Sequence, residues 1–321
     1  MLNPSDFSNP EALQDDTSDH IRARVAWYYF AAGLTQQEIA GRLGITRLRV
    51  NKIVGQLRTD GSVKIDIRIP LARCVELEER LKARYGLTDA RVVPFVSDGT
   101  VLQRVIGEAA GTMIDPLIED GMGLGVGWGR TLSFALKNIA ARRHARSWVV
   151  TLMGGLTRGS GTNTFEVSTG FAKALGSECY YLAAPIYFPT AESRAALTSH
   201  YGISEALRHA RNADIAFVSC GDLSDRSLLV GTQTVSENLE SLKAAGAVGD
   251  LLGVFLDASG QPVDHLLNQR TMAISPMELK AIPDSILASG GLHKAPIIKA
   301  ILSCGHVRRI VTDEECAAAI L

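Results

Sequence analysis

From Ile21 the apolar positions Val25, Ala26, Tyr29 and Phe30 recur at helical intervals and Gly33 closes the run, which predicts a first helix. Thr35 and Glu38 stand at the spacing in which each side chain satisfies a free N–H at a helix start, and Ile39, Ala40 and Leu43 follow on one face. A second, short helix is expected here. Gly44 breaks it, Ile45 fills the corner, and Thr46 can cap a third helix whose inward face is Val50, Ile53, Val54 and Leu57. Two helices joined in this way have helix-turn-helix geometry, with the first packed behind them.

Beyond them the period changes. SVKIDIRIP alternates Val63, Ile65, Ile67 and Ile69 with Lys64, Asp66 and Arg68, the pattern of a half-buried strand that is either a DNA-touching wing or a connector. Leu71 to Tyr85 reads as a helix with Leu77 and Leu81 inward, linking two domains and offering a surface to a second subunit. From Asp89 short apolar runs (RVVPFV, WVVTLMGG, CYYLAAPIYF, DIAFVSCG, LLGVFLD, SILASGG, VRRIVTD) alternate with helical patterns such as Val101 to Glu119 and Leu132 to Ala140. That alternation predicts an α/β domain with a largely parallel sheet. The expected organisation is an acidic, flexible tail over 1–20, a helix-turn-helix domain over 21–70, a linker helix over 71–88 and an effector domain over 89–321.

Charge sharpens this division. The chain has 321 residues and a formal net charge of -1, so it is not polybasic as a whole. Between Ile21 and Pro70, however, nine Lys and Arg face three acids, Glu38, Asp60 and Asp66, a local excess of six positives. A phosphate-facing module needs such an excess, and the near-neutral remainder suits a different task. The outward face of the third helix carries Arg47, Arg49, Asn51, Lys52 and Gln56, side chains that bond phosphates and base edges. Of these, Arg47, Arg49, Asn51 and Lys52 form with Thr35, Arg42 and Thr46 the expected contact set for double-stranded DNA. An ordinary helical hairpin with a solvated charged face is the bland alternative.

Other chemistry is thinly represented. The five cysteines are scattered without C-x-x-C spacing and the seven histidines show no ligand spacing, so neither a metal nor a cofactor is expected. No segment combines a basic start with an apolar core and no apolar run reaches about eighteen residues, so a cytoplasmic protein is expected.

In parallel sheets ligands lie at the carboxyl ends of the strands. GMGLGVGWGRT places glycines at every second position, so it is neither a dinucleotide fingerprint nor a phosphate-binding P-loop. It still reads as a strand running into a Gly-rich turn with Arg130 and Thr131 at a helix start, a place suited to an anion. SGGLHKAPIIKA has Lys294 in the first turn of a helix, where a cation is unfavourable unless an anion is near. MGGLTRGSGTNTFEV brings Asn163 and Glu166 to another helix start, within reach of ligand hydroxyls.

LTQQEIAGRLGITRLRVNKIV, GVGWGRT, MGGL, NTFEV, APIYF, GDLLGVFLD and SGGLHKAPIIKAIL, in this order, resemble the SorC family of bacterial sugar-binding transcriptional regulators over nearly all of Ile21 to Leu321. The resemblance implies a phosphosugar-isomerase-like effector domain used as a sensor, and a homotetramer that responds on operator DNA to a sugar, polyol or sugar phosphate. Carried over by motif, the phosphate-side loop is Gly127, Gly129, Arg130 and Thr131, the hydroxyl side is Asn163, Glu166 and Asp250, and the lysine is Lys294. Where the family often has Ser, Arg, Pro, Thr at the start of the recognition helix, this chain has Thr46, Arg47, Leu48, Arg49. A phosphosugar isomerase with an appended helical domain is the alternative, with Glu166, Asp222, Asp250 and Asp257 all conceivable as its base. It leaves the N-terminal charge unexplained, so a regulator without enzyme activity is the favoured expectation.

Overall fold

The computed structural model describes residues 19–60, 62–63, 71–156 and 163–321, so all but the last two residues of the expected acidic tail, most of the SVKIDIRIP strand and the TRGSGT loop lie outside the described residues. The chain divides into two compact units, Met1–Ile69 and Pro70–Leu321.

The first unit is helical. Residues 19–26 are helical and run into a π-helical turn, Trp27–Ala31, before the helices Gln36–Leu43 and Arg47–Thr59. Thr35 and Glu38 cap reciprocally: the Thr35 N–H donates to Glu38 Oε2 at 2.8 Å, and the Glu38 N–H to Thr35 Oγ1 at 3.3 Å. Gly44 takes the left-handed conformation at φ 62° that turns the chain, and Thr46 Oγ1 accepts the Arg49 N–H at 3.2 Å. Val25, Ile39, Ala40, Val50, Ile53, Val54 and Leu57 are buried together. This apolar cluster fixes the angle between the two helices, because each presents one apolar stripe that water would otherwise contact.

The second unit is built on a seven-stranded parallel sheet. Its strands are β1 (Asp89–Val93), β2 (Gly123–Val126), β3 (Trp148–Thr151), β4 (Glu178–Tyr180) and β5 (Ile215–Val218), then β9 (Asp284–Ala288) and β10 (Arg309–Asp313). Between them in sequence, β6 (Cys220–Gly221), β7 (Ala247–Leu251) and β8 (Val254–Asp257) form a separate antiparallel sheet. The large sheet has the order β1-β10-β9-β5-β2-β3-β4, every neighbouring pair parallel. Buried side chains cover both of its faces, which is why these strands read as continuous apolar runs rather than alternations.

Three segments acquire detail that only the fold supplies. LLGVFLD does not add a strand to the parallel sheet: Leu252 and Gly253, at φ 55° and 80°, make a two-residue turn between β7 and β8. Successive positive φ values match the twist of a tight hairpin, so this stretch folds back on itself. The helix expected as a linker, observed as Ala72–Tyr85, buries Cys74, Leu77 and Leu81 inside the second unit. Its end is tied down where Arg84 and Tyr85 donate to the carbonyls of Leu321 and Ile320. Third, the every-second-residue glycines of GMGLGVGWGRT divide their roles. A Cβ on Gly123 or Gly125 would stand 2.4 Å from Trp148 or Leu152, so these two permit close packing within the sheet core.

Candidate functional site

Connections from β2 run towards β3 and β4, whereas those from β5 run towards β9 and β10, so strand order reverses between the adjacent β2 and β5. Loops leaving two such strands splay apart and open a crevice at their carboxyl ends. A cavity of about 650 Å³ lies there. Trp128, Gly129, Arg130 and Thr131 enter it from β2, and Ser219 to Asp222 from β5. Asp250 comes from β7, Gly290, His293 and Lys294 follow β9, and Ser97 to Thr100 follow β1.

Five of the expected effector residues, Gly129, Arg130, Thr131, Asp250 and Lys294, therefore meet in one cavity. Gly129 has φ 112°, open to glycine but strained for other residues, and it sets the chain turning into the helix Arg130–Ala135. Gly127, Asn163 and Glu166 do not line the cavity. The Gly127 N–H donates to the Phe217 carbonyl at 2.9 Å, and its own carbonyl accepts from Thr164 Oγ1 at 3.3 Å. Asn163 is buried with its Nδ2 on the Leu156 carbonyl at 2.9 Å, while Glu166 Oε2 accepts the Asn163 N–H at 3.3 Å. Asn163 and Glu166 form the reciprocal cap of the helix Thr164–Leu175, so their side chains already bond the local backbone.

Asp250 is buried, and its Oδ2 accepts the Gly253 N–H at 3.0 Å. Burial raises its pKa to about 6, with Asp222 adding to the rise and the Gly253 N–H and Lys294 opposing it. Lys294 Nζ donates to the Cys220 carbonyl at 3.0 Å and to Ser289 Oγ at 3.4 Å. Burial pushes the Cys220 thiol up to about 11, which disfavours its thiolate. Partial enclosure holds His293 below the usual imidazole value, opposed by Asp222 and reinforced by Lys294 and Arg226.

Asp98, Gln103, Asp222, Asp225, Arg226 and His293 also line the cavity, beyond the effector contacts expected from the sequence. Asp98 caps the helix Gly99–Ile114, accepting from the Thr100 and Val101 N–H groups at 2.8 and 2.9 Å. Asp222 followed a strand in DIAFVSCGD and carried a signal, having stood among the conceivable bases. Gln103 Oε1 and Asp222 Oδ1 are buried with no hydrogen-bond partner among the described residues. Four carboxylates (Asp98, Asp222, Asp225, Asp250) thus face three fixed cations (Arg130, Arg226, Lys294). The cavity combines acceptors and donors instead of concentrating positive charge.

In the helical unit, Arg47, Arg49, Asn51 and Lys52 are all exposed. Asn51 Oδ1 accepts from Gln36 Nε2 at 3.3 Å, and Thr35, Gln36, Gln37 and Arg47 line one surface depression. Thr35 and Thr46 spend a side-chain oxygen on helix caps, and the Arg42 guanidinium lies 5.7 Å from the Tyr28 ring centroid. Among the described residues no group of His, Cys, Asp and Glu is suited to a metal ion, and no helix is long and apolar enough to cross a membrane.

Residues 70–321 match the family described as "Putative sugar-binding domain". The erythritol catabolism regulatory protein EryD of Brucella abortus is 31% identical over 309 residues, covering 95% of this chain and 98% of EryD. The transcriptional regulator LsrR of Escherichia coli K12 is 31% identical over 306 residues, covering 93% of each chain. The full-length sorbitol operon regulator SorC of Klebsiella pneumoniae superposes with a TM-score of 0.74 at 25% identity, over 94% of this chain and 98% of that one.

Proposed function

Because the chain belongs to the SorC family of sugar-binding transcriptional regulators, we propose that it binds operator DNA through the helix Arg47–Thr59 under the control of an effector in the switch-point cavity. The observation that carries this reading is one chain holding both parts. A capped two-helix unit turns Arg47, Arg49, Asn51 and Lys52 to solvent, and a second unit gathers Gly129, Arg130, Thr131, Asp250 and Lys294 around a crevice. The first matches phosphate and base-edge chemistry, and the second matches a small hydroxyl-rich molecule.

The effector is a sugar, polyol or sugar phosphate. Its hydroxyls donate to Asp250 and to the unpaired oxygens of Asp222 and Gln103, and Lys294 and Arg130 donate to an anionic group where the ligand carries one. Two relatives named for erythritol and sorbitol support the polyol side of this class. One helix-turn-helix covers half a site, so the protein acts in the cytoplasm as a homo-oligomer, a tetramer by family likeness. The isomerase alternative is set aside because the full-length relatives are named regulators.

The test is selection of an operator from random duplexes with the full-length protein, followed by titration of the complex with polyols, sugars and their phosphates. A selected duplex that one ligand class releases or tightens is the expected result. Failure to select any duplex, or turnover of a sugar phosphate, would overturn the proposal.

A further inference from the structure

The helix Arg47–Thr59 buries Val50, Ile53, Val54 and Leu57. On the opposite side Leu48, Lys52, Gly55 and Thr59, spaced i, i+4, i+7 and i+11, form one outward stripe. At its head Leu48 is 79% exposed, in the first turn between two exposed arginines. At Gly55 a built Cβ meets nothing within 4 Å. Packing among the described residues thus accounts for neither the exposed leucine nor the mid-helix glycine, a poor helix former.

We infer that Leu48 reads the C5-methyl group of a thymine in the operator's major groove, with Gly55 two turns on letting the DNA approach the helix closely. This rests on the proposed operator-binding role of the unit. Base edges in the major groove present donors and acceptors, and the thymine methyl is the apolar group among them. A leucine pressed against a bare donor or acceptor would strip its water without replacing the bond. Against a methyl it buries apolar surface on both sides. Arg47, Arg49 and Lys52 surround the side chain, so the charge of the patch matches a polyanion and not a second copy of the same basic face.

The experiment uses full-length protein and a duplex it selects, with each thymine replaced in turn by deoxyuridine, which removes only the methyl. For the wild type one position in each half-site should lose roughly fourfold in affinity, the value of one buried methyl. Leu48→Ala should bind more weakly, show no loss at that position and select bases there less strictly. Wild-type binding indifferent to every replacement would overturn the inference while leaving operator recognition intact. So would a Leu48→Ala protein that keeps the methyl response, or one whose oligomeric state changes in light scattering with base preference unaltered. If the wild type selects no duplex, operator recognition fails and the inference falls with it.

Discussion

Gly221 lies so close to Asp250 that a Cβ on the glycine would stand 2.2 Å from the carboxylate Oδ1. The two residues pair across β6 and β7, and Asp250 is further held by the Gly253 N–H. The carboxylate therefore cannot move aside without losing a buried bond. Gly221→Ala is expected to destabilise the second unit by about 1 to 3 kcal/mol, the usual cost of overpacking, and to abolish the effector response. Thermal unfolding and ligand titration check both. An unchanged melting temperature with normal titration would show that Asp250 is not confined by this contact.

Asp250 also makes stability depend on pH. Its folded pKa, about 6, lies above the usual aspartate value, so the folded protein binds this proton more tightly than the unfolded chain does. The stabilising contribution is complete below about pH 4 and is lost as pH rises through about 6, a change of about 3 kcal/mol at most. Asp250→Asn should remove this component. The wild-type minus variant difference in unfolding free energy, measured by denaturation from pH 4 to 8, is expected to fall across that window. A flat difference would contradict the assigned shift.

Lys294 lies beside the Cys220 carbonyl and lowers the pKa of Asp250. Lys294→Ala should cost a phosphorylated effector about 1.5 to 3 kcal/mol of affinity, the range for a hydrogen bond to a charged group, and a neutral polyol much less. It should also raise the pKa of Asp250 further. Calorimetry with both ligand forms separates these effects; equal losses for both would mean that the lysine supports the cavity wall and not the anion.

On the helical unit, Arg49→Ala should weaken operator binding by about 1 to 3 kcal/mol if the guanidinium bonds a base edge. Its side chain is exposed, so the melting temperature should hold. Base preference compared between wild type and variant distinguishes a base contact from a phosphate contact, which would weaken all sequences alike.

Gly55→Ala separates folding from recognition. With open space at the Cβ position, alanine should stabilise the helix by roughly 0.5 to 1 kcal/mol, yet reduce operator affinity where the backbone comes close. Gains in both would show that the glycine is not needed for approach.

The features legible along the chain are local ones. Thr35 with Glu38, Gly44 and Thr46 announce helix ends because capping joins residues three or four apart, and the inward Val50, Ile53, Val54 and Leu57 repeat at the helical period. The strand runs of the second unit were legible for the same reason, since burial on both faces leaves unbroken apolar stretches. Tertiary structure decided what depends on neighbours distant in the chain. Asn163 and Glu166 carry suitable ligand chemistry, and the fold also sets them on the Leu156 carbonyl and at the helix end. Asp98, Asp222 and His293 have no shared motif and meet only because β1, β9 and β5, whose carboxyl ends they follow, stand in one parallel sheet. The reversal of strand order between β2 and β5 is likewise set by long-range pairing, Leu124 beside Ile215, and local pattern carries no record of which strand will stand next to which.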